Sequence, residues 1–417
     1  MIENMIFHID VNSAFLSWEA VRRLEYGEKT DLRDIPSIVG GDIKKRRGIV
    51  LAKSISAKKF GIKTGETIYS ALKKCPFLTI VPPNIDFYQK ASACFIDYLR
   101  ARLPLVEQYS IDECFADVTS DKNITENPIH AADDLRKEIS NKLGFTVNIG
   151  ISENKLLAKM ASEFEKPDKT HTLFKDEIKY KMWPLPIEEL FMVGRKTAVE
   201  LRQCGITTIG QLANYNKDAL IRRFKYARGT MLYEYANGID HSAVISNMPL
   251  PKSIGNSTTI ASDIASEEDA FLVLLSLCET VGARLRKKNL VGSTISVSIK
   301  TNDFKYYSKQ IKIPYATYIT NAIYQYAKSI FSTIWNGEKI RHIGVSISDL
   351  NEDITRQNSF FDNNEWEKYT KMDNAIDNLR DIYGKDIIKR AGFLETNLSH
   401  MTGNKQDGNE TGLRSHL

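Results

Sequence analysis

The chain of 417 residues carries only five cysteines (Cys75, Cys94, Cys114, Cys204, Cys278), an odd number with no CxxC pair and no histidine cluster beside them. That excludes a disulfide-built secreted scaffold and a Cys/His zinc site, and it predicts buried thiols in a reducing compartment. Long hydrophobic runs are missing as well. The longest, Phe271–Leu275 with Leu277 and Cys278 beyond it, falls far short of the roughly 20 residues that a membrane-crossing helix needs. The first apolar segment, Met5–Ile9, is broken by Asp10 and has neither a basic leader nor a small-residue cleavage site, so a cytoplasmic protein without a membrane span is expected. No short fixed repeat is present, which excludes a solenoid. What remains, with 42% apolar and 26% charged residues, is an ordinary globular chain long enough for two to four domains.

The charge is uneven. A net charge of +5 conceals an acidic end, because residues 351–417 hold 9 Lys+Arg against 12 Asp+Glu and the basic excess therefore lies in residues 1–350. A modest excess of this kind fits a polyanionic partner without identifying one.

Strand-length apolar runs at Met5–Val11, Leu78–Val81, Val106–Tyr109, Cys114–Val118 and Phe145–Ile151 alternate with helical patterns starting at Ser13 and near Asn84–Leu103 and Pro128–Leu143. The order predicted is β-α-β-β-α-β, interrupted at residues 20–77 by an insertion rich in Lys, Gly and Thr that includes Lys44-Lys45-Arg46-Arg47. Residues 252–349 repeat that order, with strands near Ser253–Ile260, Thr294–Lys300, Tyr306–Ile313 and Ile340–Ile347 and helices near Glu267–Lys288 and Tyr318–Trp335. In the second unit Ile295, Val297 and Ile299 alternate with Ser296, Ser298 and Lys300. One face should thus be apolar and the other polar to basic, with Lys309 and Lys312 supplied by the partner strand. Residues 166–240 read as short helices broken by Pro and Gly. Beyond 350 come a polar stretch, a helical segment at Asp373–Lys389, and a Gly/Asn-rich end from Thr402 that is expected to be disordered. The fold class is therefore α+β, in several domains.

Three acids stand out. Asp10 ends an apolar strand, where a charge is costly unless paired or bound to a cation, and Asp112-Glu113 sit where two apolar strands meet. In a β-α-β-β-α-β sheet the first and third strands are neighbours, so the three carboxylates can converge. Around one point they would hold two Mg²⁺ ions, a donor set suited to in-line phosphoryl transfer. Taken singly, Asp10 also reads as a turn or cap residue and Asp112-Glu113 as an exposed hairpin tip.

The segments FHIDVNSAF (7–15), VLAKSISAKKFGIKTGE (50–66), YSIDECFADVT (109–119) and NIGISENKLLAKMASEFEKP (148–167) resemble, in order and spacing, the Y-family DNA polymerases of the DinB/UmuC group, over about residues 1–350. The resemblance implies a right-hand polymerase: a palm (1–19 and 78–165), fingers (20–77), a helical thumb (166–240), a little finger (248–350) and a tail (351–417). It implies a low-fidelity, template-directed enzyme without proofreading that takes primer-template DNA and dNTPs and works as a monomer. Asp10, Asp112 and Glu113 match its metal-binding carboxylates and Val11 its metal-binding carbonyl, for two Mg²⁺ ions. Phe15 matches the aromatic that excludes a 2′-hydroxyl, and Lys58 and Lys166 match residues that contact the triphosphate. Two departures are visible. A fingers tyrosine is replaced by Ile55, and the usual arginine is Lys58, which lacks the planar bidentate fork. Phe191–Ala198 resembles a helix-hairpin-helix whose first glycine is Met192 here; Gly194 and Lys196 would meet a DNA phosphate there, while Lys300 and Lys309 would do so on the little finger. Gln357, Phe360 and Phe361 resemble a sliding-clamp docking peptide. Two rival readings are a template-free palm-fold nucleotidyl enzyme such as a cyclase, and a catalytically silent DNA- or clamp-binding accessory protein.

Overall fold

The computed structural model describes residues 4–42, 48–246, 250–352, 365–394 and 400–401. The Lys44–Arg47 run, the clamp-like residues Gln357, Phe360 and Phe361, and the end from Thr402 lie outside the described residues. Among the described residues no helix is long and apolar enough to cross a membrane, and all five cysteines are free thiols.

Strand β1 (Ile6–Val11) is buried at every position because both faces of its sheet are covered. Phe7, Ile9 and Val11 enter the largest core, shared with Trp18, Tyr88, Phe95 and Leu135 from the helices Ala14–Glu25, Ile85–Arg100 and Pro128–Leu143. Alternation then sends Ile6, His8 and Asp10 to the opposite face. Strands β2 (Ser37–Gly40), β3 (Val50–Lys53) and β4 (Thr79–Val81) form a separate sheet of order β3-β2-β4. The run at Leu78–Val81, expected in the palm, therefore belongs with the insertion, since β4 pairs in parallel with β2. Strands β5 (Leu105–Gln108), β6 (Glu113–Asp117), β7 (Val147–Ser152) and β8 (Thr170–Thr172) join β1 in the order β5-β6-β1-β7-β8. The first and third strands of the predicted unit are neighbours, as expected. A further strand, β8, extends that sheet from a segment expected in the thumb, pairing in parallel with β7.

The helices Arg195–Gln203, Ile209–Ala213, Lys217–Phe224 and Tyr226–Ala236 pack around Leu201, Ile209, Leu212 and Leu232. Leu156, Leu157 and Met160 of the Lys155–Ser162 helix enter that same core, so this helix joins the five-stranded sheet to the helical domain. Its close seat on β7 depends on Gly150. A Cβ there would lie 2.0 Å from the Ala158 carbonyl oxygen and 2.5 Å from the Ser162 nitrogen.

The second β-α-β-β-α-β unit is present as β9 (Ser253–Ile264), β10 (Val291–Thr301), β11 (Tyr306–Thr317) and β12 (Ile340–Asn351), with helices Glu267–Lys287 and Thr320–Ile334 between them. Ser266 caps the first of these helices, accepting from the Asp269 N–H. The strand order is β11-β10-β12-β9. Element order repeats but pairing does not: β1 lies between two partners, whereas β9 is an edge and the last strand, β12, is central. The tail helix begins at Glu365 rather than Asp373 and runs to Tyr383. It docks through Asp373 and Asp377 on Arg286 and through Arg380 on Glu279.

The register corrects one expectation about the basic face. Val297 pairs with Lys309, whereas Thr294 pairs with Lys312 and Lys300 with Tyr306. Residues directly opposite share a face, so Lys309 lies on the helix-covered side with buried Val297. Lys312 shares the open face with Lys300. Positions 309 and 312 differ in parity, and no bulge between them restores it.

Candidate active site

At the end of β1, Asp10 is the register partner of Glu113 at the start of β6. The turn before Glu113 is tight: the N–H groups of Tyr109 and Ser110 both donate to the Glu113 carbonyl, at 3.0 and 3.1 Å, and Val11 N–H donates to the Asp112 carbonyl at 3.0 Å. Two chemically loaded segments are thus tied together by backbone. The side chain of Asp112 accepts from the Ser110 hydroxyl at 2.6 Å. Among the described residues no three His, Cys, Asp or Glu side chains form a ready metal-ligand group; register sets Asp10 opposite Glu113, and Asp112, held by Ser110, lies close enough to Asp10 for its charge to act on it.

Each of the two facing carboxylates has its own cation. Lys166 Nζ donates to Asp10 Oδ2, and also to Glu163 at 2.8 Å. Lys159 Nζ donates to Glu113 Oε2. Burial pushes the Asp10 carboxyl up to about 6, with the nearby Glu163 and Asp112 charges adding to it and Lys166 opposing. For Glu113 burial acts in the same direction, but hydrogen bonds from His8 and Lys159 outweigh it and hold the group at about 2. With Asp112 and Glu163 beside them, four acids share two lysines, and such hard oxygen donors fit a divalent cation of the Mg²⁺ type.

His8, Lys159 and Ser162 were not singled out by sequence. His8 Nε2 donates to Glu113 at 3.0 Å, and its Nδ1 lies 2.7 Å from the Ser162 hydroxyl. Full burial drives the His8 pKa down to about 4, so the imidazole is neutral at pH 7. His8 pairs with Gly150 in register, and the missing Cβ at Gly150 lets the Lys155–Ser162 helix bring Ser162 and Lys159 to this point. A signal existed: His8 and Asp10 share a strand face two residues apart. The Lys159 ammonium also lies 5.2 Å from the Tyr109 ring and 5.4 Å from that of Phe191.

Phe15, half-buried at the start of its helix, stacks on Tyr88 with ring centroids 4.8 Å apart. Tyr88 donates to buried Glu19 at 3.1 Å, and Glu19 is gripped by Arg22 and Arg23 at 2.8 and 2.9 Å. The Phe15 ring therefore has a fixed floor. Lys58 is exposed on the short Ile55–Lys59 helix, and its charge, after burial, helps to lower the pKa of Lys53. Met192 takes φ +70°, the left-handed backbone that glycine usually supplies, and remains 55% exposed. The hairpin geometry thus survives without the glycine. Gly194 caps the following helix with nothing within 4 Å of a hypothetical Cβ, and Lys196 is exposed beside it.

Comparison with known proteins gives the chain its family. Residues 9–163 match the impB/mucB/samB family and residues 251–360 its C-terminal domain. DNA polymerase IV of Clostridium acetobutylicum is 48% identical over 94% of this chain and 99% of its own length. DNA polymerase IV of Alkaliphilus oremlandii is 38% identical with the same coverage, and DNA polymerase IV 2 of Bacillus subtilis is 34% identical over 94% of this chain and 95% of its own. A solved Y-family DNA polymerase chimera superposes with a TM-score of 0.71 at 23% identity, covering 83% of this chain and 98% of that one. The family carries with it the use of a divalent metal. With relatives this similar along nearly their whole length, the chain belongs to the impB/mucB/samB family, the Y-family DNA polymerases.

Proposed function

We propose that the chain is a template-directed DNA polymerase that inserts dNTPs opposite damaged or distorted template bases, with low fidelity and no proofreading, as a cytoplasmic monomer. The observation that carries this is the pair Asp10 and Glu113, opposed across β1 and β6, with Lys166 on Asp10 and Lys159 on Glu113. Asp10, Glu113 and Asp112, with the Val11 carbonyl, would hold two Mg²⁺ ions, which when bound supply the charge neutralisation that phosphoryl transfer needs. His8 and Ser162 fix the orientation of the Glu113 carboxylate. Lys166, released from Asp10, meets the triphosphate, and Lys58 approaches it from the fingers as a point charge rather than a fork. Phe15 lies under the sugar and is prevented from yielding by Tyr88.

Backbone N–H groups at Gly194 and the start of the next helix, with Lys196, meet a DNA phosphate. The open face of the little finger, with Lys300 and Lys312 at its ends and Ser296, Ser298 and Ser346 between them, lies against the duplex. Gln357, Phe360 and Phe361 dock on the sliding clamp. Primer extension with Mg²⁺, a templated primer and each dNTP in turn is the test: templated addition supports the reading. Untemplated product, or none from folded protein, overturns it.

A further inference from the structure

The β10–β11 hairpin closes through Thr301 N–H donating to the Lys305 carbonyl at 3.0 Å, with Asn302, Asp303 and Phe304 as its loop. Phe304 N–H donates back to Thr301 at 3.0 Å, and Phe304 itself takes φ +68°. The last residue of a three-residue hairpin loop is commonly left-handed, and glycine or asparagine fills it without strain. A phenylalanine there carries a backbone cost and, on an ordinary surface turn, offers nothing in return.

The ring is not buried in compensation. Phe304 remains 61% exposed, although the Lys300 ammonium lies 5.0 Å and the Arg341 guanidinium 5.3 Å from its centroid. Tyr306, the register partner of Lys300, is 63% exposed next to it. The local acids are already taken: Lys305 pairs with Asp303 at 3.0 Å and reaches Glu338 at 3.7 Å. Lys300 and Arg341 have no carboxylate partner among the described residues. Two exposed aromatic residues beside two cations that have no carboxylate partner form the combination that binds single-stranded nucleic acid, bases stacking on rings while cations meet the backbone. A duplex presents no free base face to a ring, whereas the unpaired template ahead of a primer end does.

We propose that Phe304, with Tyr306, Lys300 and Arg341, is a stacking platform for an unpaired base of the single-stranded template. The proposal rests on the polymerase reading above. It assigns Phe304 a role that duplex binding alone does not require.

The test is the affinity of the full chain for primer-templates with a blunt end, with a several-nucleotide 5′ template overhang, and with the same overhang made abasic. Wild type should gain at least about fivefold from the overhang, the lower range of one base–aromatic stack, and lose that gain with abasic sugars. Phe304→Ala should lose the gain while binding blunt duplex as wild type does, and Phe304→Tyr should keep it. Phe304→Gly relaxes the turn, so it should melt higher than wild type and still lose the gain, which separates recognition from folding. If Phe304→Ala retains the overhang gain, or abasic and normal overhangs bind alike, the platform is wrong and the polymerase reading stands. A folded chain that binds none of the three DNAs overturns both.

Discussion

Asp10 and Glu113 face each other in antiparallel register, yet their carboxyl groups are held far apart in acidity, at about 6 and about 2. Burial dominates at Asp10, while at Glu113 the His8 and Lys159 hydrogen bonds overcome it. The consequences for folding have opposite signs. Asp10, raised above its unfolded value of 3.8, contributes stability only at low pH, and that contribution is lost as the pH rises through about 6. Glu113, lowered from 4.5, stabilises above that value and loses its contribution as the pH falls toward 2. At pH 7.5 and without divalent ions, Asp10→Asn should therefore stabilise the chain by about 1–3 kcal/mol while abolishing nucleotide addition. The gain should close as the pH approaches 4. Thermal melts across that range in a chelating buffer read it, and a lower melting temperature for Asp10→Asn at pH 7.5 would show that the Lys166 pair outweighs burial.

Phe15 should set sugar selectivity because its floor, Tyr88, is itself anchored on Glu19. Phe15→Ala should raise ribonucleotide insertion relative to deoxyribonucleotide insertion with the chemistry retained. Tyr88→Ala should do the same more weakly, by letting the Phe15 ring sink. The ratio of the two kcat/KM values decides, and an unchanged ratio in Phe15→Ala removes the residue from this role.

Much of this was legible in the chain, and the misses share a cause. Alternation at Ile295, Val297 and Ile299 and the strand positions around Asp10 and Glu113 are period-2 signals that a sequence carries locally. Pairing is not local. Nothing in Leu78–Val81 announces a parallel partner at Ser37–Gly40, and nothing in β11 by itself says which of Lys309 and Lys312 faces the helices until register with β10 is known. His8, Lys159 and Ser162 gain their roles only because Gly150 admits a helix against β7, a contact made from residues far apart in sequence. Met192 shows the reverse: the hairpin motif has lost its glycine but kept the left-handed backbone, since the surrounding chain holds the turn.

The tail helix should be part of the little finger rather than an appendage. Glu279, 3% exposed, accepts from Arg380 at 2.7 Å and also from Arg390, and Arg286 meets Asp373 at 3.0 Å and Asp377 at 2.6 Å. Ending the chain before Glu365 strands a buried carboxylate and a buried guanidinium, and breaking such pairs one-sidedly costs about 3–5 kcal/mol. The shortened protein should unfold at lower denaturant, and Glu279→Gln within it should restore part of the loss. If the shortened chain unfolds at the wild-type midpoint, the ion pairs contribute nothing to stability.

DNA affinity should fall steeply with salt, because lysines that neutralise phosphates release counterions on binding. The register makes this sharper than a count of basic residues does. Lys300 and Lys312 lie on the open face, opposite Tyr306 and Thr294, whereas Lys309 lies opposite buried Val297 on the helix side. Each phosphate contact removed should flatten the log–log salt slope by about 0.9, so Lys300→Ala and Lys312→Ala should each lower it while Lys309→Ala leaves it as in wild type. Affinity should weaken evenly across DNA sequences, since a lysine that meets a phosphate carries no sequence information. Titrations of one primer-template at several salt concentrations separate the three variants. A slope that drops for Lys309→Ala and not for Lys312→Ala would put the duplex against the helices and leave the serine-lined face without a ligand.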